Sequence, residues 1–179
     1  MKSYCFDLYR YYGRYKERFR EKIFRPNGIK FIILYRKYNN TNSKIIKKYY
    51  KLRYKFLSKK THIEIPFSVR IDSGFYIGHE GSVTVNPDVA IGKNVNIATG
   101  VTIGQENRGK RKGVPTIGND VWIGTNSVIV GKIEIGNDVL IAPLTFINFD
   151  VPDHSIVIGN PGRIIKKANA TQNYINRRI

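Results

Sequence analysis

Cysteine, methionine and tryptophan each occur once among the 179 residues. Because a disulfide needs two cysteines, Cys5 cannot form one within the chain, and a single thiol suits a reducing compartment. No apolar run approaches the roughly 18 residues of a membrane-spanning helix. Lys2 is not followed by an apolar segment, so we do not expect a cleaved signal peptide. We therefore expect a cytoplasmic protein.

Acidic residues are also scarce, with 13 Asp and Glu against 31 Lys and Arg. The imbalance lies almost entirely in residues 1–60, which hold 19 basic and 3 acidic residues together with 10 of the 12 tyrosines. Residues 61–179 hold 12 basic and 10 acidic residues. This change in composition predicts a basic, Tyr-rich N-terminal segment over residues 1–60 and a different structure after it.

The second part contains a repeat of six residues. Isoleucines recur at this spacing, and glycine follows many of them, as in Ile117-Gly118 and Ile135-Gly136. This period fits neither an amphipathic helix nor a long alternating strand, but it fits a solenoid of short strands and corners. Glycine or asparagine would give the corners their backbone freedom. The in-phase isoleucines are Ile91, Ile97, Ile103, Ile117, Ile123, Ile129, Ile135, Ile141 and Ile147.

The repeat is interrupted once. Ile103 and Ile117 are 14 residues apart instead of 12, and residues 105–115 between them supply no aliphatic core position before Val114. We therefore predict a repeat unit over residues 61–165 with a protruding loop at 105–115, followed by a C-terminal tail over 166–179. The loop either lines a site or is a plain surface insertion.

Several segments resemble the left-handed β-helix acyltransferases, among them IGHEGSVTVNPDVAIGKNV, PTIGNDVWIGTNSVIVG and VPDHSIVIGNPGRII. Within that family the sequence is most similar to serine acetyltransferases and to the O-acetyltransferases of capsule and exopolysaccharide gene clusters. The resemblance implies an all-β solenoid, a left-handed parallel β-helix, preceded by a small α-helical segment. It also implies acetyl-CoA as co-substrate, no metal, and a homotrimer with active sites between subunits.

Three histidines are candidates for a general base, which must take the hydroxyl proton as oxygen attacks a thioester. His62 lies at the junction of the two parts, and His154 has the setting of a turn residue. His79 follows Ile77-Gly78 at an expected corner, and the resemblance places the catalytic histidine there. A metal site of the carbonic anhydrase type would need three clustered histidines, which this spacing does not provide.

A carboxylate that holds the other imidazole nitrogen would assist the base. The resemblance places that carboxylate 15 residues before the histidine, at Glu64. Asp72 and Glu80 are alternatives. Cys5 has no histidine near it in sequence, and we do not expect a covalent acyl-enzyme.

The resemblance also indicates where acetyl-CoA binds. It places the pantetheine arm against backbone groups at Gly124-Thr125 and Ala142-Pro143. It places the phosphates near Arg163, with Lys166 and Lys167 beside it. Backbone donors near Thr102, near Gly104 or in the loop would stabilise the oxyanion, and the sequence does not single out one of them. Lys110 and Arg111 on the loop would bind CoA or an anionic acceptor, or simply remain solvated.

The acceptor is inferred from two differences. Serine acetyltransferases carry a histidine and an aspartate that hold the amino acid, and here the corresponding residues are Val114 and Gly78. We therefore predict O-acetylation of a sugar hydroxyl of a cell-surface polysaccharide or its precursor, with Tyr76 and the loop against the saccharide. Serine O-acetylation for cysteine synthesis is the alternative within enzymes, and a non-catalytic envelope scaffold is the alternative outside them.

The basic segment reads as helices over Ile29–Tyr38 and Ile45–Leu57. It would serve as a helical cap and trimerisation element, or as a peripheral contact with the inner face of the cytoplasmic membrane. No specific nucleic-acid binding is expected, although a basic surface alone attracts phosphates.

Overall fold

The computed structural model describes residues 4–179 and begins with four helices. Within these residues no helix combines the length and the apolarity needed to cross a bilayer. The helices predicted at Ile29–Tyr38 and Ile45–Leu57 are confirmed within the third and fourth helices. The helices are α1 (Cys5–Tyr12), α2 (Phe19–Ile23), α3 (Asn27–Asn39) and α4 (Lys44–Thr61).

The rest of the chain winds into a parallel β-solenoid of short strands in three sheets, so the predicted fold class is confirmed. The strands are β1 (Ile63–Glu64), β2 (Arg70–Ile71), β3 (Tyr76–Ile77), β4 (Val83–Val85), β5 (Ala90–Ile91), β6 (Asn96–Ile97), β7 (Thr102–Gly104), β8 (Thr116–Ile117), β9 (Val121–Ile123), β10 (Val128–Val130), β11 (Glu134–Ile135), β12 (Val139–Ile141), β13 (Phe146–Ile147), β14 (Ser155–Ile158) and β15 (Arg163–Lys166). Sheet A has the order β1-β4-β7-β10-β13, sheet B β11-β8-β5-β2, and sheet C β15-β14-β12-β9-β6-β3. Among these strands of the described chain, only β15 is antiparallel to its neighbour.

The isoleucines of the six-residue repeat form the core, as predicted. All nine are at most 3% exposed, and they stack in one column per sheet. In sheet B, for example, Ile91, Ile117 and Ile135 lie in register on neighbouring strands. Because each coil buries its apolar side chains against the coils above and below, the solenoid is stable only as a stack.

The interruption of the repeat is larger than the sequence spacing indicated. Register pairs give 18 residues from Ile117 to Ile135 but 26 from Ile91 to Ile117, so eight residues are inserted. The 14 residues from Ile103 to Ile117 are therefore one six-residue repeat plus the eight inserted residues. They are not two repeats plus two residues, as the spacing had suggested. The insertion closes as a small hairpin in which Glu106 and Gly113 exchange two backbone hydrogen bonds of 3.0 Å.

The glycines after the isoleucines have a different role from the one expected. A Cβ at Gly118 would lie 2.6 Å from the carbonyl oxygen of Gly136 on the next coil, whereas its φ is not in the left-handed region. Glycine is needed here because the coils approach closely. The left-handed backbone instead falls on Asn94, Asp120 and Asp138, whose φ values are 55°, 54° and 53°. Asn and Asp tolerate this conformation better than most side chains.

The helices pack against the N-terminal end of the solenoid, where the first coil has no preceding coil to pair with. The Asp7 carboxylate accepts a hydrogen bond from the Phe75 amide at 3.0 Å, beside β3. The Tyr35 hydroxyl donates to the Val69 carbonyl, beside β2 in sheet B. Terminal coils of a solenoid need such a cap because their edge strands carry unpaired backbone groups.

Candidate functional site

His79 projects from a corner that is longer than the others. Ile77 pairs with Ile97 on the next coil, and Thr84 pairs with Thr102, so the two corners can be compared directly. The chain advances seven residues from Ile77 to Thr84 but only five from Ile97 to Thr102. The two coils after that also use five. The two extra residues allow the His79 side chain to leave the stack, and it is exposed. A base exposed on a rigid corner can reach a substrate.

The residues expected to hold the pantetheine arm lie on the same side of the solenoid as His79. Ile77, Ile97, Ile123 and Ile141 are in register in sheet C, so the corners that follow them stack in one column. That column contains His79, Gly124, Thr125, Ala142 and Pro143. The structure therefore provides a continuous edge along which an extended molecule could lie.

The three expected phosphate-binding cations are separated by the antiparallel hairpin of β14 and β15. Arg163 pairs with Ile158 at the end of β14 that faces the column of corners. Lys166 pairs with Ser155 at the other end, and the Lys167 amide donates to the carbonyl of His154 at 2.8 Å. Only Arg163 is therefore at the column, although all three side chains are exposed.

Glu64 lies one coil before Thr84 on the outer face of sheet A, and its side chain is exposed. Among residues 4–179 no hydrogen bond or ion pair joins it to His79. Glu80 accepts a hydrogen bond of 2.6 Å from the Asn27 side chain, which ties the long corner to α3. Asp72 accepts from the Ser73 amide at 2.7 Å at a different corner. The two alternative carboxylates are thus held in other contacts.

The remaining histidines have structural positions. His62 is the left-handed residue that ends α4, with a φ of 56°. His154 places its Nδ1 atom 2.9 Å from the Asp138 carboxylate, which also accepts hydrogen bonds from Ala170 and Thr171. Within residues 4–179 no group of three His, Cys, Asp or Glu side chains could hold a metal ion.

A cavity of about 580 Å³ opens beside His79 on the outer face of sheet C. Tyr76 lines it, as do Arg10 from α1 and Arg177 from the C-terminal tail. Among the described residues no Asp or Glu lines it, so the cavity is cationic. A larger groove of about 900 Å³ lies between α3 and sheet B, and the one candidate site residue that lines it is the alternative carboxylate Asp72.

The inserted loop leaves the solenoid at a different edge. Gly104 ends β7 in sheet A, and the loop leads from there to β8 in sheet B, whereas His79 lies between sheets C and A. Lys110 and Arg111 are exposed on this loop. Within one subunit the loop cations and Gly104 therefore lie at another corner of the solenoid than His79.

Sequence reasoning missed Arg10 and Arg177. Nothing distinguishes Arg10 from the other 18 basic residues of the first 60, and its contact with Asn96 spans 86 residues of sequence. Arg177 donates a hydrogen bond of 2.7 Å to the Tyr11 carbonyl at the end of α1. Both residues reach the cavity only through the tertiary fold.

Comparisons with known proteins support the transferase resemblance. Residues 115–148 match the family model described as bacterial transferase hexapeptide (six repeats). A serine acetyltransferase of Bacillus pumilus (strain SAFR-032) is 36% identical over 118 residues, 64% of this chain and 54% of that protein. One from Bacillus subtilis (strain 168) is 35% identical over 124 residues, 65% of this chain and 57% of that protein.

Solved structures point the same way. The serine acetyltransferase of Brucella abortus strain S19 in complex with coenzyme A aligns over 93% of this chain and 67% of its own, with a TM-score of 0.75 and 26% identity. The Neisseria gonorrhoeae serine acetyltransferase in complex with serine aligns over 89% of this chain and 66% of its own, with a TM-score of 0.70 and 26% identity.

These findings correct one prediction from the sequence. The relatives and the structural neighbours are serine acetyltransferases, so the predicted sugar acceptor of a capsular or exopolysaccharide enzyme is wrong. That prediction rested on the residues missing at Val114 and Gly78. It did not consider Arg10 and Arg177, whose positive charges suit an acceptor that carries a carboxylate. The chain spans a little over half the length of these two curated relatives. It is similar to serine acetyltransferases over a hexapeptide-repeat solenoid that is preceded by helices.

Proposed function

We propose that this protein is an acetyl-CoA-dependent O-acetyltransferase whose acceptor is the hydroxyl of L-serine. The observation that carries the proposal is the exposed imidazole of His79 on the long corner, beside a cationic cavity and at one end of the column of corners. The similarity to serine acetyltransferases in complex with coenzyme A and with serine supports both substrates.

His79 acts as the general base. Its neutral imidazole takes the proton of the serine hydroxyl while the oxygen attacks the thioester carbonyl carbon. The new C–O bond forms, the C–S bond breaks, and the proton passes from the imidazolium to the departing thiolate of CoA. In the trimer proposed below, backbone donors near Gly104 of a neighbouring subunit would stabilise the oxyanion of the tetrahedral intermediate.

Glu64 is proposed as the positioning carboxylate. It is exposed on the coil next to the long corner. We expect its side chain to turn toward His79 when the imidazole becomes charged. Catalytic hydrogen bonds of this kind often tighten only when substrate is bound. The negative charge of Glu64 would then stabilise the imidazolium.

Acetyl-CoA is proposed to lie along the column of corners. Its pantetheine arm would run past Thr125 and Pro143, and its phosphates would reach Arg163 at the far end.

The active unit is proposed to be a homotrimer, as the family resemblance implies. Such an assembly would bring the inserted loop of one subunit, with Lys110 and Arg111, toward the His79 corner of its neighbour. This placement accounts for a basic loop at a corner that His79 does not share within one subunit.

The basic segment is proposed to contact an anionic lipid surface through α4. Four large apolar side chains, at spacings of four, three and four residues, form an exposed stripe along this helix. Eight Lys and Arg and no acidic residue lie within the same helix. Such a helix suits a lipid interface because the stripe enters the headgroup region while the cations meet anionic lipid. The stripe consists of Ile45, Tyr49, Leu52 and Phe56.

Vesicle flotation tests the lipid contact. We expect binding to vesicles containing phosphatidylglycerol, none to pure phosphatidylcholine, and loss of binding when Leu52 and Phe56 are both changed to Ser. Phe24→Ser is the matched control, because Phe24 is also exposed but lies outside α4. A double variant that changes the oligomeric state and leaves vesicle binding intact would assign the stripe to a subunit interface instead.

The reaction itself is tested by incubating the purified protein with acetyl-CoA and L-serine and following the free thiol, with mass spectrometry of the acetylated product. We expect thiol release that depends on L-serine and a product that carries the acetyl group on oxygen. A protein that binds CoA but releases no thiol with L-serine would contradict the proposed function.

A further inference from the structure

Arg10 is a buried cation whose hydrogen bonds are incomplete. Its residue is 4% exposed, and its Nη2 group donates to the side-chain oxygen of Asn96. Its Nε and Nη1 groups have no hydrogen-bond partner among residues 4–179. A guanidinium carries five donor hydrogens and stays charged, and buried polar groups are usually paired. The incomplete pairing points to a ligand that supplies acceptors.

The surroundings of Arg10 favour a negatively charged ligand. Arg10 lines the same cavity as His79 and Arg177, and no Asp or Glu among the described residues lines it. The nearby carboxylate of Asp120 is 3.5 Å from Arg178. Burial lowers the pKa of Arg10 to about 10, and the negative charge of Asp120 offsets only part of this decrease. An anion in the cavity would offset this cost of burial.

The walls of the cavity hold Arg10 in place. Arg177 donates to the carbonyl of Tyr11 at 2.7 Å, which joins the C-terminal tail to α1. The Tyr174 and Trp122 rings are in contact at a centroid distance of 5.0 Å, which joins the tail to sheet C. The guanidinium itself is held by Asn96, whose side-chain amide donates to the carbonyl of Tyr174 in the tail at 3.3 Å.

We propose that Arg10 binds the carboxylate of the acceptor amino acid and so sets the specificity of the reaction, an inference that rests on the proposed function. CoA also carries anionic groups, but its phosphates lie at the opposite end of the pantetheine arm from the thioester. A cation that shares a cavity with the general base is placed for the acceptor. Arg10 would supply the carboxylate contact that the positions of Val114 and Gly78 no longer provide.

The test compares L-serine with L-serinamide, which lacks the carboxylate charge. Calorimetric titration without acetyl-CoA is expected to show that the wild-type protein binds L-serine and does not bind L-serinamide. This comparison needs no variant. Equal binding of the two compounds, or binding of neither, would overturn the inference. Binding of L-serine without any acetyl transfer would leave the inference standing and contradict the proposed function.

The Arg10→Met variant assigns the effect to this residue. Replacing a buried, incompletely paired charge by an apolar chain of similar length is expected to leave the fold intact. The KM for L-serine should rise about 10- to 100-fold, the range for loss of a charge-assisted hydrogen bond, while the KM for acetyl-CoA stays unchanged. Arg178→Met is the control, because Arg178 lies nearby but does not line the cavity. A rise in the KM for acetyl-CoA alone would assign Arg10 to the phosphates and overturn the inference.

Discussion

The hydroxyl of Tyr11 satisfies both backbone groups of Ile77. It donates a hydrogen bond to the Ile77 carbonyl at 2.7 Å and accepts one from the Ile77 amide at 3.0 Å. Ile77 lies on β3, the first parallel strand of sheet C, which has no earlier coil to pair with. A single side chain thus takes the place of a missing strand. Because Arg10 and Tyr11 are adjacent in α1, the same helix caps the solenoid and brings a cation beside His79.

Tyr11→Phe is predicted to destabilise the protein by about 1–3 kcal/mol, because it leaves two buried backbone groups of Ile77 without a partner. The ring would still fill its place, so the loss reports the hydroxyl. Urea unfolding measures it. Tyr15→Phe is the matched control, since Tyr15 is exposed, and it should change the free energy of unfolding by less than about 0.5 kcal/mol. Equal stability of the two variants would contradict the capping role.

Gly118→Ala is predicted to destabilise the solenoid by about 1–3 kcal/mol through overpacking. The added Cβ would meet the Gly136 carbonyl oxygen at 2.6 Å, and backbone on a neighbouring coil cannot move aside alone. Gly104→Ala is the control, because the nearest atom to its Cβ is a side-chain methyl of Val130 at 3.4 Å. Thermal unfolding should show a clear loss for the first variant and little change for the second. The reverse order would contradict the close approach of the coils.

Acid should loosen the C-terminal tail through Asp138. Although burial acts in the opposite direction, hydrogen bonds from Thr171 and His154 lower the pKa of this carboxyl from 3.8 to about 2. A lowered carboxyl pKa stabilises the fold above the unfolded value of 3.8, and the contribution is lost as the pH falls toward 2. We expect about 1–2 kcal/mol above pH 5.

The Asp138→Asn variant isolates this contribution. The variant should be less stable than the wild-type protein at pH 6, and the difference should shrink as the pH falls from 4 toward 2. Unfolding followed by the fluorescence of Trp122, which contacts Tyr174 in the tail, measures it. A difference that is constant with pH would show that the carboxylate charge is not responsible.

Arg163 and Lys167 should differ in their effect on acetyl-CoA. Arg163 lies at the column of corners, whereas Lys167 lies at the other end of the β14–β15 hairpin. Arg163→Ala is predicted to raise the KM for acetyl-CoA about 3- to 10-fold, as expected for one exposed phosphate contact, with kcat little changed. Lys167→Ala should leave both constants near the wild-type values. Equal effects of the two variants would contradict the proposed direction of CoA along the corners.

The sequence predicted the solenoid because its core has a regular period. Each inward isoleucine, such as Ile123, repeats the environment of the one before it, so the spacing alone reveals the fold. The two-residue insertion at His79 was not read from the sequence, because the first coil has a looser phase and its register is visible only in the strand pairs. Arg10 could not be found at all, since its neighbours come from a distant coil and from the C-terminal tail.

Replacement of His79 tests the central claim most directly, with kcat measured for L-serine and acetyl-CoA. His79→Asn should lower kcat by about 10²- to 10⁴-fold, the usual contribution of a general base, while CoA binding and the free energy of unfolding stay unchanged. His62→Asn is the matched control, because His62 is an exposed histidine in a left-handed position that asparagine tolerates, and it should keep the wild-type kcat. A His79→Asn protein with the wild-type kcat would contradict the assignment of this imidazole as the base.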